Sequence, residues 1–323
     1  MQKVAIICGG FSSEYAISVL SAGNIQRNFP DGFEAILVYL RDSGWFVQLG
    51  EEEVVLNPQD FSFSEKGKQV CFDFAVVYIH GDPGENGKIQ AYLEIIGLPY
   101  VNSGPLASQL SFDKWFCNQF LKGFGVRVAD SVYLIGPNEK VDPTAIVEEL
   151  GLPLFVKPCD SGSSFGIARV ESKEELPGSI AKAFEEGNTV VIERFLDGTE
   201  VTCGVYRTAN GVIALPLTEI VSKNAFFDYE AKYQGLSDEI TPARIPDETA
   251  LKVQEIARRV YALLQLRSIA RIDFMVVNGE TFLIEVNTTP GFSNESIVPK
   301  MIAAAGMTTK EFWTEIIAFE LSK

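Results

Sequence analysis

The sequence predicts an α/β protein of three domains, the first built on an open parallel sheet. Short apolar runs bounded by turn residues alternate with amphipathic stretches of helical period, the pattern of a parallel sheet covered by helices. The 323 residues, 46% hydrophobic and 22% charged, give a globular balance and length enough for several cores. Near the C-terminal end, two apolar runs joined by Asn-Gly each carry a carboxylate, which reads as a hairpin with chemistry on one face.

In order along the chain, VAIIC (4–8) is a first strand and GGFSSE (9–14) a turn. An amphipathic stretch from Tyr15 to Phe29 and the run EAILVYL (34–40) complete a βαβ unit. FDFAVVYIH (72–80) reads as a further buried strand, followed by the glycine-rich GDPGENG and the helical KIQAYLEIIG. PYVNSG closes the first domain near residue 102. A helical pattern then runs from Leu106 to Phe124, and PLFVKP and GIARV are strands around the loop CDSGSSFG. Ser172-Lys173-Glu174-Glu175 has the spacing of a capping box opening a helix. TVVIERFL (189–196) crosses into the last domain, so the expected spans are 1–102, 103–192 and 193–323. That domain holds a long helix from Asp247 to Leu264, the acidic hairpin, and a final helix starting at Thr308-x-x-Glu311.

Composition excludes several function classes. A net charge of -16 argues against nucleic acid, where binding rests on basic contacts to phosphate. Five scattered cysteines, none in a Cys-x-x-Cys pair, and a single histidine argue against zinc sites and a disulfide framework. No segment approaches the length of a membrane span, and the first strand is too short for a signal h-region. The expected location is the cytoplasm.

In ARIDFMVVNGETFLIEVNTTPG (270–291), Ile272, Phe274 and Val276 face one way, and Arg271, Asp273, Met275 and Val277 the other. A three-residue loop, Asn278-Gly279-Glu280, would place Val277 opposite Thr281, Asp273 opposite Glu285 and Arg271 opposite Asn287. A two-residue loop would send the two acids to opposite faces. Like charges facing each other on a sheet repel, so the first register calls for a cation between them. Asp273, Glu285 and Asn287 form an all-oxygen set that suits Mg²⁺; the alternative is an exposed acidic face.

The remaining motifs are weaker one at a time. CDSGSSFG after Lys157 supplies backbone, hydroxyl and ammonium donors for phosphate, or is a flexible hairpin. Glu193 and Glu200 in VIERFLDGTE could accept from an adenine amino group and ribose hydroxyls, or be solvated. His80 sits at the C-terminal end of a strand, where open α/β sheets bind ligands, or is structural. A nicotinamide dehydrogenase would need Gly-x-Gly-x-x-Gly, which is absent after the first strand. A binding module that had lost its chemistry would lack a metal ligand or Arg271, and all are present.

Together, GGFSSE with Ser18, HGDPGENGKIQAYLEIIGLPY, SFDK, FVKPCDSGSSFGI, VIERFLDGTEVT, FDYEAKY, ARIDF and EVNTTPGFSNESIVPK resemble, in order, the ATP-grasp enzymes and within them the D-alanine:D-alanine ligase family. The resemblance spans nearly the whole chain. It implies a three-domain ATP-grasp fold with ATP gripped between the second and third domains, and joining of two D-alanine molecules through an acyl phosphate for peptidoglycan precursors. It also implies two Mg²⁺, with Mn²⁺ as a substitute, on Asp273, a bridging Glu285 and Asn287. Lys114 and Lys157 would bind the ATP phosphates, with Ser163 and Ser164 closing over them, while Glu193 meets the adenine and Glu200 the ribose. Glu14 would hold the first D-alanine's ammonium. Arg271 and the Gly291 amide would stabilise the oxyanion, and Ser296 would bind the second D-alanine's carboxylate, with His80 also at the substrates. Lys232 and Tyr233 would come from a mobile lid, whose FDYEAKY matches the amide-forming rather than the lactate-forming branch. A homodimer follows by analogy. The chain departs from the family's pattern at Asn86, Tyr15-Ala16 and Ser268, around Ser296 in residues 294–296, and at Phe227, which replaces the first Tyr of the lid motif; none of these removes a proposed catalytic group.

Overall fold

The computed structural model describes residues 1–162, 165–222 and 237–322. The first sheet holds β1 (Gln2–Gly9), β2 (Phe33–Arg41), β3 (Gly44–Leu49), β4 (Glu52–Asn57), β5 (Ser62–Glu65), β6 (Lys68–Val70), β7 (Phe74–Val77) and β8 (Tyr100–Val101). Its order is β6-β5-β4-β3-β2-β1-β7-β8. The expected parallel pairs are there: β1 with β2, β1 with β7, and β7 with β8. β3 to β6 extend the sheet by antiparallel hairpins that sequence reasoning passed over. Trp45 packs edge-on against Phe61 and Tyr92, which joins that extension to the apolar cluster of Ile7 and Val77 in the central strands. The predicted strand 72–80 pairs only over Phe74–Val77; beyond it the chain leaves the sheet toward the cleft.

The single helical run predicted from Leu106 to Phe124 is two helices, Pro105–Phe112 and Lys114–Lys122. Asp113 breaks it by adopting extended backbone and accepting from the Phe116 amide as an N-cap. The second sheet, β9 (Ser131–Leu134), β10 (Leu154–Pro158), β11 (Ala168–Val170) and β12 (Val190–Arg194), is antiparallel in the order β11-β10-β12-β9. Ser172 does not form the predicted capping box. Its hydroxyl donates to Glu175 and opens a short 3-10 turn, and the helix itself starts at Leu176 with Pro177 in its first turn. By contrast, Thr308 and Glu311 form a complete capping box before the helix Thr309–Glu320.

The third sheet contains β13 (Thr199–Thr208), β14 (Gly211–Ala214), β15 (Thr218–Ser222), β16 (Ser237–Ile240), β17 (Ile269–Val277) and β18 (Glu280–Asn287). Its order is β16-β15-β13-β17-β18, with β14 also on β13. The helix Asp247–Leu263 covers one face with Val253, Ala257 and Val260. One apolar cluster joins Val4, Phe74 and Tyr78 of the first sheet to Phe292, Met301 and Trp313, so the C-terminal turn and helices are seated on the first sheet. Arg267 ties the same elements by donating to Tyr100 O and to the buried Glu320. Among the described residues no helix is long and apolar enough to cross a membrane.

Candidate active site

The acidic hairpin pairs Asp273 with Glu285 and Arg271 with Asn287 as predicted, but neither the predicted loop nor the Val277–Thr281 pair is present. Its turn is the two-residue Asn278-Gly279, both with positive φ (51° and 80°), as a primed hairpin turn requires. Val277 therefore opposes Glu280, and the pairing continues to Phe274 opposite Leu283. A bulge then skips Ile284, after which Asp273 opposes Glu285 and Arg271 opposes Asn287. One extra residue on β18 returns both acids to one face. Contacts from elsewhere hold that stretch: the Leu283 amide donates to Arg127 O (2.8 Å), and Asn118 Nδ2 donates to Ile284 O (3.4 Å).

The cation between the acids is the chain's own. Arg271 donates to Asp273 through Nε (2.9 Å) and Nη2 (2.8 Å), and Nη2 lies 4.0 Å from Glu285. Lys114 Nζ is 3.7 Å from Glu285 and donates to Ser161 O at 2.8 Å. The repulsion argument therefore does not by itself require a metal, which corrects the sequence reasoning. Among the described residues no group of three or more His, Cys, Asp or Glu stands ready to hold one. The donor chemistry nonetheless fits Mg²⁺: two carboxylates and the Asn287 amide oxygen, which accepts from the Thr289 amide, lie along one rim.

Lys157 on β10 reaches diagonally to Glu193 on β12, with Nζ 2.6 Å from Oε2 and side chains only 12% and 9% exposed. Burial works against the lysine's charge, but Glu193, with Glu285 and Glu200 behind it, outweighs burial and holds its pKa above the ordinary 10.5. Glu200 lies on β13, opposite Met275 and Ile220.

The C-terminal edge of the first sheet supplies the other wall. The helix Tyr15–Arg27 presents Ser18, Ser21 and Asn24 inward. Ser21 accepts from the Phe292 amide, Asn24 donates to Phe292 O, and Tyr78 donates to Pro290 O. These bonds fix the turn carrying Gly291. Ser296 accepts from the Ser293 amide at 3.0 Å and lies under Gly291. His80 is buried with Nε2 3.2 Å from Ser21 Oγ; burial lowers its pKa, Glu14 opposes that and Arg271 adds to it, so the ring is neutral. Glu14 lies beneath Gly162, where an added Cβ would stand 2.7 Å from Oε2.

A cavity of about 310 Å³ gathers eight of the predicted site residues: Glu14, His80, Lys114, Arg271, Glu285, Asn287, Gly291 and Ser296. Asp273 is behind Arg271, while Lys157, Glu193 and Glu200 stand apart from this cavity on the second and third sheets. Ser163, Ser164, Lys232 and Tyr233 lie outside the described residues. Sequence reasoning missed Glu85. Its carboxyl lines the cavity, accepts from the Gly81 amide at 2.8 Å, and is pushed up to about 8 by burial and by Glu14. The available signal was an acid in a glycine-rich loop just after His80.

Two family profiles match the chain: D-ala D-ala ligase N-terminus over residues 3–103 and D-ala D-ala ligase C-terminus over residues 120–318. The D-alanine--D-alanine ligase of Azobacteroides pseudotrichonymphae genomovar. CFP2 is 45% identical over 321 residues, covering 98% of this chain and 99% of that protein. Among solved structures, the VanG D-Ala:D-Ser ligase from Enterococcus faecalis superposes with a TM-score of 0.88 at 31% identity, covering 99% of each chain. The D-alanine--D-alanine ligase from Bacillus anthracis complexed with ATP gives a TM-score of 0.80 at 28% identity, covering 100% of this chain and 98% of that one.

Proposed function

The chain belongs to the D-alanine–D-alanine ligase family, and on that premise we propose that its cleft joins two D-alanine molecules into D-alanyl-D-alanine, with ATP, for peptidoglycan precursors. The observation that carries the reading is the cavity between Glu14 and the acidic hairpin. It offers an anion for an ammonium, two cations for developing negative charge, and the Gly291–Ser296 turn, all around one small volume.

Peptide bond formation from free amino acids is uphill, so the first carboxylate must be activated. Phosphoryl transfer from ATP makes an acyl phosphate and ADP; the second amine then attacks the acyl carbon and phosphate leaves. We assign Lys114 and Lys157 to the ATP phosphates, Glu193 to the adenine edge and Glu200 to the ribose. Glu14 receives the first D-alanine's ammonium and Ser296 the second's carboxylate, with His80 beside them as a neutral hydrogen-bonding group. The tetrahedral oxyanion falls to Arg271 and the Gly291 N–H, fixed donors of the kind such a step needs. Asp273, Glu285 and Asn287 would hold Mg²⁺, which when bound neutralises charge on the transferring phosphoryl group. For that, Arg271 must give up part of its hold on Asp273. An acyl phosphate hydrolyses readily, so water must be kept out; we assign that closure to Ser163, Ser164, Lys232 and Tyr233.

Free cysteines throughout the described residues, one of them exposed, support a reducing cytoplasmic setting. A homodimer is the proposed assembly. The test is phosphate release from ATP with D-alanine, L-alanine, D-serine and D-lactate offered in turn. D-alanine alone should support full turnover; equal rates with L-alanine would overturn the reading, and a preference for D-serine paired with D-alanine would move the chain to the chemistry named for its VanG neighbour.

A further inference from the structure

The cavity holds a second carboxyl on the same wall as Glu14. Glu85 is only 8% exposed, and one of its oxygens accepts from the Gly81 amide at 2.8 Å. The other oxygen accepts no hydrogen bond among the described residues, and the side chain lines the cavity. Gly81 is wedged between the two acids: its amide is on Glu85, and a Cβ added to it would lie 3.5 Å from Glu14 Oε2. A buried carboxyl with an open oxygen is costly unless it keeps a proton or meets a cation. Among the described residues, the charged and titratable groups around it are Glu14, Glu285 and Arg271, the buried phenol of Tyr78, and, on the same cavity wall, Lys114 and the neutral His80. Both cations already serve the hairpin acids.

We propose that Glu85 is the second carboxyl of the first D-alanine's ammonium site: protonated in the empty cleft, it releases its proton when the ammonium settles between it and Glu14. This rests on the ligase reading of the cleft. The step is balanced without a co-reactant. A carboxylic acid and an ammonium become a carboxylate–ammonium pair, and one proton leaves to solvent. The arrangement spares the empty site two adjacent buried anions and supplies the second anion only when a cation arrives. Burial and Glu14 push Glu85 up to about 8, so it carries its proton at neutral pH in the empty cleft.

The experiment is calorimetric titration of the full chain with D-alanine at neutral pH, in PIPES and in Tris, whose different ionisation heats report protons released. The unmodified protein should release about one proton per bound D-alanine, given a carboxyl about a unit above the working pH. Glu85→Gln keeps the volume and can still accept from the Gly81 amide. It should lose that release and raise KM for the first D-alanine roughly tenfold, the scale of one charge-assisted hydrogen bond. A purely structural carboxyl would leave the proton count unchanged between the two proteins, and that result overturns the proposal. So does D-alanine binding to a fully active unmodified protein with no proton released. Absence of D-alanine-dependent phosphate release from the unmodified protein would instead remove the ligase reading.

Discussion

Replacing Lys157 by Met should cost the protein both stability and nucleotide, and the two losses can be separated. The substitution removes the ammonium 2.6 Å from Glu193 and leaves a carboxylate whose side chain is 9% exposed without it. Breaking one side of a buried pair typically costs about 3–5 kcal/mol, a large part of the ~5–15 kcal/mol that a folded protein has. At ~2–4 °C per kcal/mol for a domain-sized cooperative unit, the melting temperature should fall by roughly 6–20 °C. Adding Glu193→Leu should return most of that, because a buried pair replaced by apolar groups of like size is often neutral or better. ATP binding should stay lost in both variants, since neither has the ammonium. The assays are differential scanning calorimetry and titration with ATP. A single variant that melts with the unmodified protein, or a double variant no better than the single, would refute the reasoning. The pH dependence follows from sign. The Lys157 pKa is raised in the folded state, so the pair's contribution is complete below 10.5 and is lost only as pH rises beyond it.

Three further outcomes are expected. Glu285→Gln keeps volume but removes the charge facing Lys114 and Arg271, so turnover should fall roughly a hundredfold or more with an unchanged circular dichroism spectrum; near-normal turnover would remove the metal assignment. Gly162→Ala would put a Cβ 2.7 Å from Glu14 Oε2, so Glu14 must move, and KM for D-alanine should rise more than kcat falls. ATP should be used in preference to GTP, because an acceptor at the ring's edge favours the adenine amino group; equal rates would show that the assignment of Glu193 is wrong.

The βαβ start, the long helix before the hairpin and the final capping box were legible because each depends on neighbours within a turn or two of the chain. The hairpin shows where that reach ends. Its pairs Asp273–Glu285 and Arg271–Asn287 were right, yet the loop and the Val277–Thr281 pair were wrong, because the compensating bulge at Ile284 is supported by Arg127 and Asn118, more than 150 residues earlier in the chain. The strands between residues 44 and 70 escaped because Lys, Glu and Gln interrupt their apolar pattern. Glu85 escaped for a different reason. Its chemistry comes from burial beside Glu14, and the two are brought together only by β1 lying next to β7.

The central claim is an acyl phosphate made from D-alanine in this cleft, and isotope transfer tests it most directly. D-alanine labelled with ¹⁸O in its carboxylate is turned over with ATP, and the inorganic phosphate is examined by mass spectrometry. Carboxylate activation predicts that each phosphate carries one oxygen from D-alanine, in step with D-alanyl-D-alanine formed. Dipeptide accompanied by unlabelled phosphate would contradict it.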